Sequence, residues 1–208
     1  MPNSVRPDSE TREAILRTAG SLFLERGYAK SKVVDIARAA GITPATMYWH
    51  FESKGDLLFE YLKVSIAEFN TLMAEAIAGV EGPVALLRTL TEAHTGAQLR
   101  FRERAQVVLS MTRASADLIT ALPPAHAAEI DSLVRVHVDL VKGIVGEGVA
   151  SGHFQTPDIT ALTFAVLNIS ENAALWFRPD GPLSVDAVAA ANGEFAVRMA
   201  TAPPPSTQ

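Results

Sequence analysis

Residues 35–51, DIARAAGITPATMYWHF, decide the fold of this chain. Gly41 permits a tight turn between two short helices, because glycine adopts the left-handed backbone conformation without steric cost. Thr43 suits the N-cap of the second helix, and Pro44 suits its first position, where a missing amide hydrogen costs nothing. The spacing therefore predicts a helix-turn-helix, whose second helix enters the major groove of DNA.

The second of these helices, predicted over 44–51, has two different sides. Met47 and Phe51 are four residues apart and face inward together with Ile42. The exposed sides are expected to carry Ala45, Thr46, Tyr48, Trp49 and His50. Large aromatic side chains in solvent are costly without a partner, so this surface predicts a binding site.

The rest of the chain repeats the apolar spacing of helices, and we predict an all-α fold of about nine helices. The first helix should end at Gly27, and Ser31 is the expected N-cap of the second. Ser53 and Asp56 approximate a capping box that begins a long fourth helix reaching about Gly79. Further helices are expected near 83–99, 101–120, 125–152, 157–177 and 184–200.

Charge is divided unevenly along the chain. The 208 residues hold 18 basic and 23 acidic groups, a formal charge of −5 that argues weakly against a nucleic-acid partner. Residues 1–56, however, hold eight basic and seven acidic groups, and the remainder holds ten and sixteen. Such a division predicts two surfaces with different partners.

Several function classes are excluded by what the chain lacks. Without cysteine there is no disulfide or thiolate site, and without a long apolar run or signal peptide we expect a cytoplasmic protein with no membrane contact. No serine lies in a Gly-x-Ser-x-Gly frame. His94, His126, His137 and His153 are too scattered for a helical metal pair. We therefore expect neither an enzyme nor a bound metal or cofactor.

Four short motifs resemble the amino-terminal signature of TetR-family transcriptional regulators. They are Gly27-Tyr28, Asp35-Ile36-Ala37, Thr46-Met47-Tyr48-Trp49-His50-Phe51 and Ser53-Lys54-Gly55-Asp56-Leu57-Leu58. The resemblance covers about residues 9–60 and implies a dimeric repressor. It implies a helix-turn-helix DNA-binding domain over 9–56 and a ligand-binding and dimerisation domain over 57–201. The ends, 1–8 and 202–208, are expected to be disordered.

The resemblance also implies which residues contact the operator. Base edges are met by Pro44, Ala45 and Thr46. Phosphates and sugars are met by Tyr48, Trp49 and His50, and by Lys54 at the start of the fourth helix.

Simple chemistry supports these contacts, since hydroxyl and ammonium donors suit phosphate oxygens and a helix N-terminus attracts anions. We expect Thr43 to serve as N-cap and phosphate contact together. For Lys32 and Arg38, a supplementary DNA contact and an ordinary solvated charge are equally good interpretations.

The second domain contains candidate residues for dimerisation. The helix over 157–177 is apolar most of the way round, which predicts burial on two sides. One side suits the domain's own core and the other a symmetry mate, with the last helix as its companion. The expected interface residues are Phe164, Leu167, Val188, Asn192, Phe195 and Met199.

Polar residues in this apolar domain are the ligand candidates, and each has two interpretations. Asn168 and Asn172 share a helix face and either bond one another across the dimer, which we favour, or contact a ligand. Arg100 and Arg104 flank Phe101 and form either a solvated helix start or the anion-binding mouth of a pocket.

The stretch from Asn168 to Ser184 resembles that of TetR-family regulators of steroid and fatty-acid breakdown, some of which answer to CoA thioesters. This implies an apolar acyl-CoA effector with Arg100, Arg104 or Arg178 as anion partners. Arg178 is equally explained as a helix C-terminal charge. For Trp176 we favour a packing role over a stacking contact with the ligand. The alternatives are a regulator of an efflux pump that responds to hydrophobic drugs, and a helical protein-interaction module that binds no DNA.

Overall fold

The computed structural model describes residues 8–113 and 121–202, and within them every regular element is a helix. Nine helices have seven residues or more, and a tenth, α9, has four. Their bounds are α1 Asp8–Arg26, α2 Val33–Ala39, α3 Pro44–His50, α4 Lys54–Ala76, α5 Pro83–Arg100, α6 Arg102–Arg113, α7 Pro124–Ala150, α8 Ile159–Glu171, α9 Ala173–Trp176 and α10 Val185–Thr201. The predicted all-α fold is confirmed.

The bounds differ from the predicted ones at a few places. The tails are predicted over 1–8 and 202–208, and only Asp8, the first residue of α1, and Ala202 lie within the described part. The predicted helix over 101–120 begins at Arg102, and positions 114–120 fall outside the description. The predicted helix over 157–177 begins later, because Asp158 is its N-cap and accepts the Ala161 N–H at 2.7 Å.

Local capping explains the ends of the first helices. Gly27 and Gly41 follow α1 and α2 at φ values of 75° and 73°, where glycine is favoured. The Ser53 hydroxyl oxygen accepts the N–H of Asp56 at 3.0 Å, which caps α4. Ser31 was predicted to cap α2, and that was wrong. It is buried, its hydroxyl lies within hydrogen-bond distance of carbonyl oxygens of α1 and the following turn, and Lys32 is the N-cap residue.

The chain divides into two compact units. Unit 1 comprises the described parts of Met1–Ile66 and Glu103–Ser132, and unit 2 those of Ala67–Arg102 and Leu133–Gln208. Helix α4 continues past the junction at residue 66 without a break. The domain boundary at residue 57 stays a prediction.

Each unit has its own buried apolar residues. Unit 1 buries the predicted face of α1 together with residues of α2, α3 and α4, among them Ile15, Ala19, Leu22, Phe23, Ile36, Met47, Phe51, Leu58 and Leu62. Unit 2 has a core built from α5, α7, α8 and α10, with Leu87, Leu90, Val141, Val145, Leu162, Val166 and Ala196 among its members. Among the described helices, none is both long enough and apolar enough to cross a membrane.

Candidate functional site

The turn between α2 and α3 is closed by backbone hydrogen bonds. The N–H of Gly41 donates to the Arg38 carbonyl at 3.1 Å, and the N–H of Ile42 donates to the Ala37 carbonyl at 3.0 Å. These bonds satisfy carbonyls at the end of α2 that a helix leaves unpaired. The chain is thereby turned so that Thr43 can begin α3.

Helix α3 is fixed at its start by Thr43 and on its inner side by Met47. The Thr43 hydroxyl oxygen accepts the N–H of Thr46 at 3.1 Å, and the two threonine hydroxyls lie 2.9 Å apart. Met47 and Phe51 are buried, as predicted. A helix this short has little stability of its own, so these contacts determine its position.

The outer side of α3 presents aromatic side chains to solvent. Trp49 is 73% exposed and Tyr48 is 53% exposed. Pro44 and Ala45 are also exposed, and Thr46 is half-buried. The predicted phase of the helix is therefore confirmed for these residues.

His50 was predicted to lie on the exposed side, and that was wrong. Its side chain is only 5% exposed, with Nδ1 3.4 Å from a carboxylate oxygen of Asp8 and its ring edge against Trp49. As the last residue of α3, His50 points back to the start of α1 instead of outward. The imidazole serves as an internal contact, and we do not include it among the proposed DNA contacts.

Lys54 has an internal role that the sequence did not predict. Its Nζ donates to the Tyr28 carbonyl at 3.0 Å and to the Ala29 carbonyl at 3.4 Å, and it lies 4.2 Å from the centre of the Tyr28 ring. Two of the three ammonium hydrogens are thereby used within unit 1. Lys54 ties the start of α4 to the turn after α1, and its contact with phosphate stays a prediction.

The basic side chains near α2 differ in their surroundings. Lys32 is exposed at the N-cap of α2. Arg38 is also exposed, but its guanidinium lies 3.7 Å from a carboxylate oxygen of Asp35. Lys32 is therefore the better placed of the two for an external anion.

Two family profiles match most of the chain. Residues 15–61 match the profile described as bacterial regulatory proteins, tetR family, and residues 80–200 match tetracyclin repressor-like, C-terminal domain. This chain belongs to the TetR family. It is a transcriptional regulator with an amino-terminal DNA-binding domain, and not an enzyme.

Individual relatives extend the TetR similarity over nearly the whole chain. The transcriptional repressor KstR2 of Rhodococcus jostii RHA1 is 28% identical over 87% of this chain and 86% of its own length. The crystal structure of AibR with isovaleryl coenzyme A and operator DNA covers 93% of this chain and 99% of that chain, with a TM-score of 0.78 and 25% identity. A TetR-family regulator from Rhodococcus RHA1 has a TM-score of 0.82 at 22% identity, covering 92% of this chain and 97% of that one, which shows the shared fold.

The structure does not gather the predicted ligand residues of this TetR-family chain into one site. Arg100 pairs with Asp186, and both are exposed at the surface of unit 2. Phe101, Trp176 and Arg178 are also exposed. Arg104 belongs to unit 1, where its charge acts on the Tyr61 hydroxyl. Their ligand contacts stay predictions.

Asn168 and Asn172 are paired within one helix turn of the single chain. Asn172 Nδ2 donates to Asn168 Oδ1 at 3.3 Å, and Asn168 Nδ2 donates to the Phe164 carbonyl at 2.7 Å. The four-residue spacing is sufficient for this bond. A bond between these two residues across the dimer stays a prediction.

The six predicted dimer residues lie on α8 and α10, and only half of them are on the exposed faces of these helices. Phe164, Phe195 and Met199 are exposed, as an interface with a second chain would require. Leu167, Val188 and Asn192 are buried inside unit 2, so their assignment to the interface was wrong.

Helical phase explains this division. On α10, Val188 and Asn192 are four residues apart and face the core, whereas Phe195 and Met199 form a second such pair that faces out. Asn192 Nδ2 donates to Thr95 Oγ1 at 3.2 Å and to the Ile169 carbonyl at 3.0 Å. Asn192 thus has its hydrogen-bond partners within its own unit.

Unit 2 also contains a buried polar chain that sequence analysis missed. His137 Nε2 lies 3.1 Å from His94 Nδ1, and Gln98 Nε2 lies 3.1 Å from His94 Nε2. The ring of Phe69 meets both imidazoles edge-on. Burial lowers the pKa of His137 to about 4, and burial together with His137 lowers the pKa of His94.

The contact between His94 and His137 was not predicted because the two residues are 43 positions apart and meet only where α5 packs against α7. A local signal did exist, since His94 follows Leu87 and Leu90 on the buried face of α5. In the described part of the chain no group of three His, Asp or Glu residues is placed to hold a metal ion.

Proposed function

We propose that this TetR-family chain is a ligand-responsive repressor that binds a pseudo-palindromic operator as a homodimer and is released by an acyl-CoA or related lipid metabolite. The observation that carries the proposal is the outer side of α3, where Trp49 and Tyr48 are exposed on a helix held by buried Met47. A regulator of operator DNA acts where the DNA lies, so we place it in the cytoplasm.

The DNA contacts follow from the position of each side chain on α3. Pro44, Ala45 and Thr46 are at the start of the helix, where base edges are reached in a helix-turn-helix. The Thr43 and Thr46 hydroxyls share one hydrogen between them, so the second hydroxyl hydrogen can be donated to DNA.

The proposed phosphate contacts are Tyr48, Trp49, Lys32 and the third ammonium hydrogen of Lys54. Helix α3 contains no Arg or Asn that could bind a base in bidentate fashion. We therefore expect specificity to depend partly on DNA shape.

Dimerisation is supported by exposed apolar side chains on α8, α9 and α10 and on the segment that joins α9 to α10. Phe164 is 48% exposed and Phe195 is 51% exposed, and the others are Leu175, Trp176, Leu183 and Met199. Helices α8 and α10 belong to the same unit and share its core. A self-complementary interface on this surface would remove a large apolar area from water.

The acyl-CoA class is supported by how far the similarity to lipid-related regulators extends. The KstR2 match covers 87% of the chain, whereas the match to the regulator AcrR of Shigella flexneri covers 39%. AibR was crystallised with isovaleryl coenzyme A, and KstR2 of Mycobacterium tuberculosis is described as a ketosteroid regulator. The effector domain of this chain therefore resembles those of lipid-related regulators more than those of the shorter matches.

Footprinting on DNA upstream of the gene tests the proposal. We expect two half-sites protected by one dimer, and release on adding isovaleryl-CoA or decanoyl-CoA but not coenzyme A alone. Trp49→Ala should abolish protection, whereas His153→Gln, which changes an exposed histidine in unit 2, should not. Protection that persists with Trp49→Ala, or release by hydrophobic drugs alone, would contradict the proposal.

A further inference from the structure

The buried chain Gln98–His94–His137 ends in polar atoms that have nothing to bind. Gln98 Oε1 and His137 Nδ1 are buried and find no hydrogen-bond partner among the described residues, and the same holds for Asn70 Oδ1. All four residues belong to unit 2. Buried polar groups are nearly always paired, because an unpaired one costs free energy, so these ends call for a partner.

The hydrogen bonds fix the direction of the protons along the chain. The Gln98 amide nitrogen can only donate, so His94 Nε2 accepts and the hydrogen of neutral His94 lies on Nδ1. His94 Nδ1–H then donates to His137 Nε2, which leaves the hydrogen of His137 on Nδ1. The chain therefore ends in one free donor, His137 Nδ1–H, and one free acceptor, Gln98 Oε1. The reversed amide of Gln98 would instead place the hydrogens on Nε2 of both imidazoles and make His137 Nδ1 the free acceptor, so nitrogen-15 NMR distinguishes the two orientations.

Both imidazoles are neutral at neutral pH, because burial lowers the pKa of each. The ring of Phe69, which packs against the apolar core of the unit, lies against both imidazoles. A carboxylate or phosphate placed here would be buried without a counter-charge, which is costly. A carbonyl oxygen would gain a hydrogen bond at no such cost.

We propose that His137 Nδ1–H, positioned by His94 and Gln98, binds the neutral carbonyl oxygen of an apolar effector inside unit 2. For an acyl-CoA this is the thioester carbonyl, so the site selects the thioester over the free fatty acid. The inference rests on the proposed function, whose effector it makes specific.

The site also lies on the helix that leads to the DNA-binding residues. Phe69 and Asn70 are on α4, whose other end is held by Lys54. Asn70 Nδ2 donates to the Leu133 carbonyl at 2.9 Å, one helical turn before His137 on α7. The polar chain joins α5 to α7, and Phe69 and Asn70 of α4 contact residues of these two helices, so a ligand bound to His137 would lie where α4, α5 and α7 meet.

Calorimetry on the full-length protein at pH 7.5 tests the inference with methyl octanoate and octanoate, which share an alkyl chain and differ in charge. We expect the ester to bind more tightly by about tenfold or more, because the carboxylate of octanoate would be buried without a counter-charge. His137→Phe and Gln98→Leu should each weaken binding of the ester by about tenfold, the effect of one buried hydrogen bond. His126→Phe is the matched control, because His126 is a histidine of unit 1 whose Nδ1 atom is buried and has no partner among the described residues.

Nitrogen-15 NMR of the wild-type imidazoles gives a readout that does not depend on variants. We expect hydrogens on Nδ1 of both histidines, and a shift of the His137 Nδ1 signal on adding methyl octanoate. Equal affinity for octanoate, an ester affinity that His137→Phe leaves unchanged, or no binding of the ester would overturn the assignment. Hydrogens on Nε2 of both histidines, or a His137 Nδ1 signal that the ester leaves unchanged, would overturn it as well.

These measurements involve no DNA. Ester binding through His137 without operator release would overturn the proposed function alone. Operator release by decanoyl-CoA that His137→Phe leaves unchanged would overturn this inference alone.

Discussion

The two units use aromatic and imidazole groups in opposite ways. In unit 1, Trp49 and Tyr48 stand in solvent on a short helix whose position is set by nearby caps and two buried side chains. In unit 2, His94 and His137 are buried and meet across two long helices. The first arrangement places a binding surface outside the fold, and the second places polar groups inside it.

Because of this difference, the free energy of folding and the free energy of binding depend on different residues in unit 1 but on the same residues in unit 2. The outer side of α3 can change without cost to the fold, because its side chains touch little of unit 1. The imidazoles of unit 2 cannot change so freely, because their neutral state is part of the folded structure. Stability and binding should therefore respond independently in unit 1 and together in unit 2.

Met47→Ala should break the scaffold of α3 and gives the largest expected effect. Met47 is fully buried, and removing such a side chain costs about 2–5 kcal/mol of unfolding free energy. Operator binding should fall with it. Urea denaturation followed by circular dichroism measures the loss. Trp49→Ala, on the same helix, should change stability by less than about 0.5 kcal/mol while weakening DNA binding. Similar stability losses in the two variants would contradict the assignment of inner and outer sides.

Lowering the pH should destabilise the protein through the buried imidazoles. The unfolded histidines gain protons below about pH 6.5, whereas folded His137, with a pKa of about 4, stays neutral. Its contribution is complete above pH 6.5 and is lost as the pH falls toward 4, by at most about 3 kcal/mol. His94, whose pKa is also lowered, acts in the same direction.

Denaturation midpoints between pH 7.5 and 4.5 measure this dependence. His137→Phe should flatten the curve, because the folded and unfolded chains then take up more similar numbers of protons. His153→Gln replaces an exposed histidine and should leave the curve unchanged. A curve equally steep in His137→Phe would show that other groups cause the dependence.

The sequence predicted unit 1 better than unit 2 for a physical reason. Gly41, Thr43 and Met47 act on neighbours within a few residues, so their spacing was enough to place α3. His50 and Lys54 were assigned outward, yet their partners are Asp8 and Tyr28, far away in sequence. No local pattern reports such contacts.

In unit 2 the same limit applied more widely. The helices were predicted because apolar spacing is local. The division of α10 between a core face with Val188 and an outer face with Phe195 depends on which helices pack around it, as does the meeting of His94 with His137. Those facts follow from tertiary packing alone.

Lys32→Gln and Lys54→Gln test two basic residues of unit 1 against each other, and their expected effects are the smallest. Both lysines are proposed to contact phosphate, so each variant should reduce the slope of log affinity against log salt by about one. Only Lys54 also donates to backbone carbonyls and lies on the Tyr28 ring, so Lys54→Gln should cost about 1 kcal/mol of stability as well. Operator binding at several salt concentrations, with urea denaturation alongside, separates the two effects. If Lys54→Gln lowers stability without changing the salt slope, Lys54 stabilises unit 1 but does not contact phosphate. If Lys32→Gln lowers stability, Lys32 makes a contact within the fold that its exposed position at the N-cap of α2 does not show.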